Sequence, residues 1–313
     1  MKKVIFIAGP TAVGKSAVAV ELAKKLDGEI ISADSVQVYK HMSIGSAKIT
    51  PEEAGGVAHH LIDHIYPDDV YNVAIFKDKA AALIDDITNR GKMPIICGGT
   101  GFYINALLYG AEFKEDTTCP EERLRLEELA LSKGSEHLHS LLLTMDEEAA
   151  VQIGKNNTKR LIRALEFYKA TGGQKISLHN RQQKEVKTPA YDGAVYILNK
   201  DRVNLYDKIN QRVDEMVAKG LVGEVSALLA MGYSPALVSM QALGYKEIIA
   251  HLEGICTLDE AVEAIKQGTR RFAKRQVTWF KHQLPGAVWV DVDDYEDLHA
   301  VAGFVLSNLH FSL

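Results

Sequence analysis

Hydrophobic and polar positions alternate in blocks along the first 110 residues. Short runs rich in Val and Ile are separated by longer stretches in which apolar residues recur every three or four positions. The first pattern is typical of buried strands and the second of amphipathic helices, and together they predict a parallel sheet with helices on both faces. Strands are predicted at 3–9, 28–34 and 92–99, and helices at 15–26, 77–89 and from about 102.

The pattern changes between residues 116 and 188, where only helical spacing is found. A strand at 193–199 then resumes the alternation, long helices follow from 201 to 283, and a last strand is predicted at 287–292. We therefore predict an α/β core domain formed by residues 1–115 and 189–313. A small, mostly helical insertion domain, residues 116–188, interrupts it.

Composition and charge limit the classes of protein. The 313 residues carry a formal net charge of −5, so a nucleic acid would have to meet a local basic patch. No apolar stretch is long enough for a membrane helix, and the N-terminal run is too short for a signal peptide. Cys97, Cys119 and Cys256 form no C-x-x-C pair. These features predict a cytoplasmic protein without disulfides or structural zinc.

The turn after the first strand, "GPTAVGKS", fits the phosphate-loop pattern G-x-x-x-x-G-K-[ST]. It lies between a predicted strand and a predicted helix, where backbone N–H groups and the helix dipole favour an oxyanion. Lys15 adds a positive charge, and the Ser16 hydroxyl is the expected metal ligand, for Mg²⁺. A P-loop NTPase-like fold is therefore predicted, with a chance match as the minor alternative. The predicted phosphate-binding residues are Gly9, Pro10, Thr11, Ala12, Val13, Gly14, Lys15 and Ser16.

The loop alone does not say which phosphate compound it binds. A nucleoside triphosphatase is expected to have a second strand ending in a metal-binding Asp, but the strand at 92–99 ends in glycines. The first carboxylate after a core strand is instead Asp34, at the sheet edge where open α/β folds bind ligands. Asp34 is therefore a candidate catalytic residue, and a turn-capping Asp is the alternative.

A helix beginning near residue 201 places a cation on its apolar face. Leu205, Ile209, Val213 and Met216 form one stripe, and Arg212 projects about 20° from Leu205 within it. A cation on a buried face is rare unless it is paired. Arg212 is therefore a candidate clamp for a phosphate, with a snorkelling side chain or a structural ion pair as the alternative.

The helix predicted at 258–283 has an apolar face and a basic face. Val262, Ile265, Phe272, Trp279 and Phe280 share the first. The basic face has no acid among its residues, which are Lys266, Arg270, Arg271, Lys274, Arg275 and Lys281. It predicts a footprint for a nucleic-acid backbone, with complementation of the helix dipole as the alternative. A weaker basic patch in the insertion contains Lys155, Lys159, Arg160 and Arg163.

Three neighbouring histidines, His59, His60 and His64, raise the possibility of a metal site. Their flanking sequence does not predict a stable helix and offers no obvious carboxylate ligand. Hydrogen-bonded structural histidines are therefore the favoured interpretation.

Eight sequence blocks resemble those of the tRNA dimethylallyltransferases, also called tRNA isopentenylpyrophosphate transferases, in the same order. They are "GPTAVGKS", "ADSVQVYKHM", "HHLID", "GGTGFYINALLYG", "KRLIRALE", "RVNLYDKINQRVDEM", "QALGYKE" and "TRRFAKRQVTWF". The resemblance covers residues 4–280. It implies transfer of a dimethylallyl group from dimethylallyl pyrophosphate to N6 of adenosine 37, beside the anticodon of tRNA, with Mg²⁺ as cofactor.

The resemblance also implies roles for the predicted sites. The loop would hold the donor's pyrophosphate with Thr11 beside the bridging oxygen, Arg212 would clamp it, and Asp34 would deprotonate the adenine amine. Contacts with the anticodon stem-loop are expected from matched blocks and basic patches. These residues are Asp34, Ser35, Val36, Gln37, Thr100, Gly101, Arg123, Lys159, Arg160, Arg163, Gln241, Gly244, Tyr245, Arg270, Arg271, Lys274 and Arg275.

Other functions compete with this one. An ATP-dependent kinase of a small molecule or nucleoside would use the phosphate loop but leave the basic helix and Arg212 unexplained. A nucleotide switch or RNA-binding module would not need a positioned Asp34. An adenylate prenyltransferase would not need two basic patches. A monomer is the default expectation for the oligomeric state.

Overall fold

The computed structural model of the chain describes residues 1–111, 119–185 and 188–309, with the backbone alone at 182–185. Contacts divide the chain into two compact units. One, the core unit, is Met1–Gly110 with Pro189–Leu313, and the other, the insertion unit, is Ala111–Thr188. The domain boundary expected between residues 115 and 116 lies outside the described residues.

The core unit is built on a parallel sheet, in which the described strands run in the order β3-β2-β4-β1-β5-β6. These strands are β1 Lys3–Ala8, β2 Gly28–Ser32, β3 His59–His60, β4 Met93–Gly98, β5 Asp192–Asn199 and β6 Val288–Asp291. β1 lies at the centre between β4 and β5, so the chain changes direction across the sheet there. The turns after β1, β2 and β4 therefore meet at one edge, which is the ligand-binding edge of such folds. The predicted α/β, P-loop-like fold is confirmed.

Helices of the core unit cover the sheet and extend beyond it. They are α1 Lys15–Leu26, α2 Pro51–Ala54, α3 Val73–Asn89, α4 Gly101–Leu108, α9 Arg202–Ala218, α10 Leu221–Ala230, α11 Tyr245–Leu252, α12 Leu258–Gln283 and α13 Leu298–Ser307. The helices of the insertion unit are α5 Pro120–Met145, α6 Glu147–Ile153, α7 Thr158–Ala170 and α8 Ile176–Glu185.

Alternate residues of each strand belong to two hydrophobic cores. Ile5 and Ile7 of β1 pack with α1 and α13 on one face, whereas Val4 and Phe6 pack with α3 and α4 on the other. Both sets are fully buried because successive side chains of a strand point to opposite faces. This is why the strands have continuous rather than alternating apolar sequences.

A third hydrophobic cluster joins α9–α12 to the segment that follows β2. Val38 and Met42 of that segment are buried against Val213 of α9, Tyr245 of α11 and Ile265 of α12. The segment leaving Asp34 is thus anchored on helices from the far end of the chain.

Some predicted elements differ from those in the structure. α3 begins at Val73 rather than 77, because the Asn72 side chain accepts the Ile75 N–H and caps the helix earlier. β3 was missed because two residues are too few to produce a pattern. The stretch predicted as long helices contains α9–α12, separated by turns such as the one at Gly220, whose φ is 98°. Within the described residues, no helix is both long and apolar enough to cross a membrane.

Close approach of β4 to the end of β2 predicts a strict requirement for glycine at position 98. A Cβ there would lie 2.2 Å from the Ala33 carbonyl oxygen and 2.5 Å from its carbonyl carbon, both of which are backbone atoms. We expect Gly98→Ala to lower the free energy of unfolding by at least about 2 kcal/mol in urea denaturation. Gly303→Ala is the control, because no atom lies within 4 Å of its added methyl group. It should raise stability by about 0.5–1 kcal/mol, as expected inside a helix. Equal effects of the two substitutions would contradict this account.

Candidate active site

The phosphate loop between β1 and α1 contains three residues with positive φ, a conformation that residues other than glycine rarely adopt. Gly9, Ala12 and Gly14 have φ values of 146°, 64° and 98°. A Cβ on Gly9 would lie 2.4 Å from the Leu198 carbonyl oxygen of β5. Ala12 in the left-handed region is strained by about 1 kcal/mol. Such strain is typical of a loop whose amide groups are directed toward a ligand.

Lys15 lies in the first turn of α1 and folds back over the loop. Its Nζ donates to the Pro10 carbonyl oxygen at 2.7 Å. Burial, together with the nearby Arg212, lowers the pKa of Lys15 to about 8. An anion in the loop would stabilise the charged form. Burial also raises the pKa of the neighbouring Cys97 thiol to about 11, so that thiol is neutral at pH 7.

The Ser16 side chain lies beside Lys15 at the start of α1 and lines two adjoining cavities. Glu53 and Glu215 lie on the wall of the second cavity. Among the described residues, no group of three or more His, Cys, Asp or Glu side chains could hold a metal ion. The oxygen donors available here are the Ser16 hydroxyl and the carboxylates of Glu53 and Glu215. They fit Mg²⁺, which is commonly bound by a few protein oxygens together with substrate phosphates and water.

Asp34 lies directly beyond β2, at the same edge of the sheet. The Thr100 N–H donates to the Ala33 carbonyl oxygen at 3.2 Å, which ties this point to the turn after β4. Oδ1 of Asp34 accepts the N–H groups of Val36 and Gln37, at 2.8 and 3.2 Å. Asp34 therefore does cap a turn, as the alternative held, and it also lines the cavity beside the loop. The two roles are compatible because both of these turn bonds use one carboxylate oxygen.

Arg212 reaches the loop from α9. Of the predicted stripe, Leu205, Ile209 and Val213 are buried and Met216 is half-buried. The Arg212 Nη1 lies 3.5 Å from the Thr11 Oγ1. Burial lowers the pKa of Arg212, while the carboxylate of Asp34 acts in the opposite direction. A partly buried guanidinium between a hydroxyl and a carboxylate is well placed to meet a phosphate oxygen.

The cavity has an apolar wall that sequence patterns did not predict. Ile30, Ile49, Ile62 and Phe272 line it, together with the polar residues Thr11, Asp34 and Arg212. Phe272 belongs to the predicted apolar face of α12, but the residue is 39% exposed. Ile49 and Ile62 lie in irregular segments, where no periodicity marks a buried side chain.

Gln276 was also missed, although the sequence carried a signal for it. It follows Phe272 by four residues and precedes Phe280 by four, so it lies on the apolar side of α12 as Arg212 does on α9. Its Oε1 accepts the Thr11 N–H and its Nε2 donates to the Gly99 carbonyl oxygen, each at 2.9 Å. A polar residue on an apolar stripe was thus informative in both helices.

The outer face of α12 keeps most of the predicted positive charge. Arg271, Lys274 and Arg275 are exposed and line a shallow groove with Trp279. Lys266 does not belong to an acid-free face, because Asp214 of α9 lies 2.8 Å from its ammonium group and Glu263 of α12 itself lies 3.6 Å from it. An acid supplied by another helix could not be seen in the local pattern.

Arg270 also reaches α9, where its Nη1 donates to the Asn210 Oδ1 at 2.5 Å.

In the segment after Asp34, Ser35 is exposed and Val36 is partly buried. Gln37 is committed to the fold, because its Nε2 donates to the carbonyl oxygens of Ser46 and Ala47.

At the start of α4, Thr100 occupies the position before the first helical residue. Gly101 packs against the Trp279 ring, so closely that a Cβ would lie 2.2 Å from it. Gly101 therefore brings the turn after β4 next to the exposed face of α12.

The "QALGYKE" block mainly stabilises the loop after β2 and exposes little surface to a ligand. Tyr245 is fully buried, and its hydroxyl donates to Glu224 at 2.8 Å. Glu224 also accepts the N–H groups of Ser43, Ile44 and Gly45. This geometry does not favour direct contact between the Tyr245 side chain and RNA. Gly244, which caps α11, is also buried, whereas Gln241 is exposed and donates to the Pro235 carbonyl oxygen.

In the insertion unit, two of the predicted RNA-binding arginines have an internal partner. Arg123 and Arg163 both pair with Glu166, which is 1% exposed. Lys159 and Arg160 are exposed on α7. The four residues thus divide into two that stabilise a buried carboxylate and two with side chains open to solvent.

The three histidines contact different partners. His59 donates to the Val57 carbonyl oxygen through Nδ1, at 2.9 Å. His60 Nε2 lies 2.8 Å from Glu29, whereas His64 accepts from Lys79 at 3.1 Å. These hydrogen bonds agree with the structural interpretation.

Comparison with known proteins agrees with this architecture. Residues 37–283 match the family described as IPP transferase. The tRNA dimethylallyltransferase of Lachnoclostridium phytofermentans is 51% identical over 94% of this chain and 93% of its own length. That of Acetivibrio thermocellus is 48% identical over 95% and 94%, respectively.

Solved structures give the same result. The tRNA isopentenylpyrophosphate transferase of Bacillus halodurans is 41% identical, with a TM-score of 0.72 over 98% of this chain and 96% of that one. A eukaryotic dimethylallyltransferase acting on tRNA is 29% identical, with a TM-score of 0.82 over 100% and 81%. The resemblance inferred from the eight blocks is confirmed, and it excludes the kinase and the non-catalytic module. The chain belongs to the IPP transferase family.

Proposed function

We propose that this enzyme transfers a dimethylallyl group from dimethylallyl pyrophosphate to N6 of adenosine 37 in tRNA, giving N6-dimethylallyladenosine and pyrophosphate. One observation carries the proposal. A single cavity is lined by residues of a phosphate loop, by Asp34 and Arg212, and by an apolar wall. A prenyl pyrophosphate needs both an anion site and an apolar site, and its acceptor needs a base.

The donor is bound at its two chemically different ends. Amide groups of the loop, Lys15 and Arg212 hold the pyrophosphate, while Ile30, Ile49 and Phe272 contact the five-carbon chain. As the allylic carbon–oxygen bond breaks, negative charge builds up on the bridging oxygen. Thr11 and Arg212, whose Oγ1 and Nη1 lie 3.5 Å apart, stabilise that charge.

The acceptor amine requires activation, because its lone pair is conjugated with the adenine ring. Asp34 accepts a hydrogen bond from N6 and takes its proton as the new carbon–nitrogen bond forms. Pyrophosphate leaves with the electron pair of the broken bond. The turn bonds from Val36 and Gln37 fix the Asp34 carboxylate before the substrate arrives.

Ser16 would hold Mg²⁺ together with oxygens of the pyrophosphate. The ion supplies charge neutralisation to the leaving group when it is bound.

We further propose that the enzyme acts as a cytoplasmic monomer. The exposed side chains of Arg271, Lys274 and Arg275 would contact the tRNA backbone.

The transfer itself is tested with Mg²⁺, labelled dimethylallyl pyrophosphate and unmodified tRNA. Label is expected at adenosine 37, and tRNA with guanosine at that position is the control. Consumption of ATP without transfer would overturn the proposal.

In the same assay, Asp34→Asn should reduce kcat by about 10²–10⁴-fold, because the amide cannot accept the proton. It can still accept the two turn bonds, so tRNA affinity should stay within about threefold of wild type. Wild-type kcat in Asp34→Asn, or a severe loss of tRNA affinity, would contradict the role as base.

The pKa of Lys15 predicts a dependence on pH. The ammonium is charged below about pH 8 in the free enzyme and loses its proton above it. The kcat/KM for dimethylallyl pyrophosphate should therefore fall above pH 8, approaching tenfold per pH unit. Lys15→Arg should have a lower but flat profile, because its side chain stays charged. A flat wild-type profile from pH 7 to 9.5 would refute this assignment.

The basic groove predicts a specific salt dependence of tRNA binding. Replacing Arg271 and Lys274 by Gln should weaken binding and reduce the slope of log K against log [salt], by roughly 0.7–0.9 for each phosphate that is no longer neutralised. The control is Lys24→Gln with Lys25→Gln, which removes the same charge from exposed positions near the end of α1. Equal slopes in the two double variants would show that α12 is not the contact surface.

A further inference from the structure

We propose that Gln276 is a positioning residue for the transfer reaction. From the buried side of α12 it fixes the phosphate loop at Thr11 against the turn after β4 at Gly99. In this way it sets the place of the Thr11 hydroxyl relative to Arg212 and Asp34. The inference rests on the proposed function and adds to it a residue that need not touch either substrate.

Both ends of the Gln276 amide are engaged. The side chain is buried, with 7% of the residue exposed, and its oxygen and nitrogen bond to backbone groups of two different turns. The turn at Gly99 is shaped for this approach, because a Cβ there would lie 2.4 Å from the Gln276 Nε2. A residue with only an acceptor or only a donor could not make both bonds.

The two hydrogen bonds of Gln276 lie beyond the point where backbone pairing between β1 and β4 ends. Pairing of β1 with β4 ends at Ala8 and Gly98, and the two strands then diverge into the phosphate loop and into α4. Gly99 is the first residue after this pairing and Thr11 is the third, so both lie beyond the ladder. Gln276 therefore supplies a link between the two turns at the point where backbone pairing stops.

This link has consequences for the donor site. The Thr11 N–H is already used by Gln276, so the pyrophosphate must be held by the later amide groups of the loop together with Lys15 and Arg212. The Thr11 hydroxyl, 3.5 Å from Arg212, is carried by the residue that Gln276 holds. Lys274 and Arg275 are exposed on the same turns of α12, so the helix proposed to contact RNA is hydrogen-bonded to the donor loop.

The test uses Gln276→Glu, which has the same shape but titrates. A protonated carboxyl can accept from Thr11 and donate to Gly99, whereas a carboxylate can only accept and faces the Gly99 carbonyl oxygen. Burial raises the pKa of a carboxyl group, which brings this switch toward the assay range. The kcat of Gln276→Glu, divided by that of wild type, should rise at least tenfold from pH 8.5 to pH 6. The KM for tRNA should change less than threefold.

The matched control is Gln267→Glu, the same substitution at an exposed position of α12. Its kcat relative to wild type should be independent of pH. A pH-independent ratio for Gln276→Glu, or the same response in both variants, would overturn the proposal. A loss confined to the KM for tRNA would overturn it as well.

A second measurement needs no variant and no turnover. The Thr11 amide should exchange with deuterium at least tenfold more slowly than that of Ala12 in the wild-type protein. Equal exchange rates would refute the link between Gln276 and Thr11. Because this result does not depend on prenyl transfer, it separates a failure of the inference from a failure of the proposed function. If wild type transfers label but Gln276→Glu matches it at every pH, the inference alone fails.

Discussion

The structure depends on holding one loop in a conformation that its backbone does not prefer. Gly9, Ala12 and Gly14 all have positive φ, and Ala12 adopts it at a cost of about 1 kcal/mol. Contacts with the rest of the fold hold the loop in this conformation. The Leu198 carbonyl group of β5 packs against Gly9, and Gln276 of α12 is hydrogen-bonded to Thr11. The result is a set of amide groups and a lysine whose positions do not have to be created when an anion binds.

Residues far apart in the sequence complete the site, because a parallel sheet gathers its carboxyl ends at one edge. The loop and Asp34 come from the first 34 residues, whereas Arg212 and Gln276 come from the last third of the chain. Helices α9 and α12 carry these two side chains on otherwise buried faces. A polar group in that setting is stable only if it is paired, so its presence marks an interaction that the fold has provided for.

How well each feature could be predicted depended on how far apart in the sequence the interacting residues lie. The strands around the loop, the exact bounds of α1 and α12, and the special position of Arg212 depend on spacing within one element. The eight family blocks added the reaction and the role proposed for Asp34. The apolar wall at Ile49 and Ile62 could not be predicted, because irregular segments have no period. Neither could the pairing of Lys266 with Asp214, which belongs to another helix.

The sequence by itself determined the fold class and the phosphate loop, because these depend on local order: strands and helices in succession, with a glycine-rich turn between the first pair. It also determined the family, because eight blocks of matching sequence occur in the same order along the chain. Only the tertiary structure showed which side chains have hydrogen-bond partners inside the fold. Tyr245, Arg163 and Gln37 belong to matched blocks, yet each is bound to an internal partner. Gln276 is buried in the helix proposed to meet RNA and bonds to the phosphate loop. The physical reason is that a hydrogen bond depends on distance in space, whereas a pattern records distance along the chain.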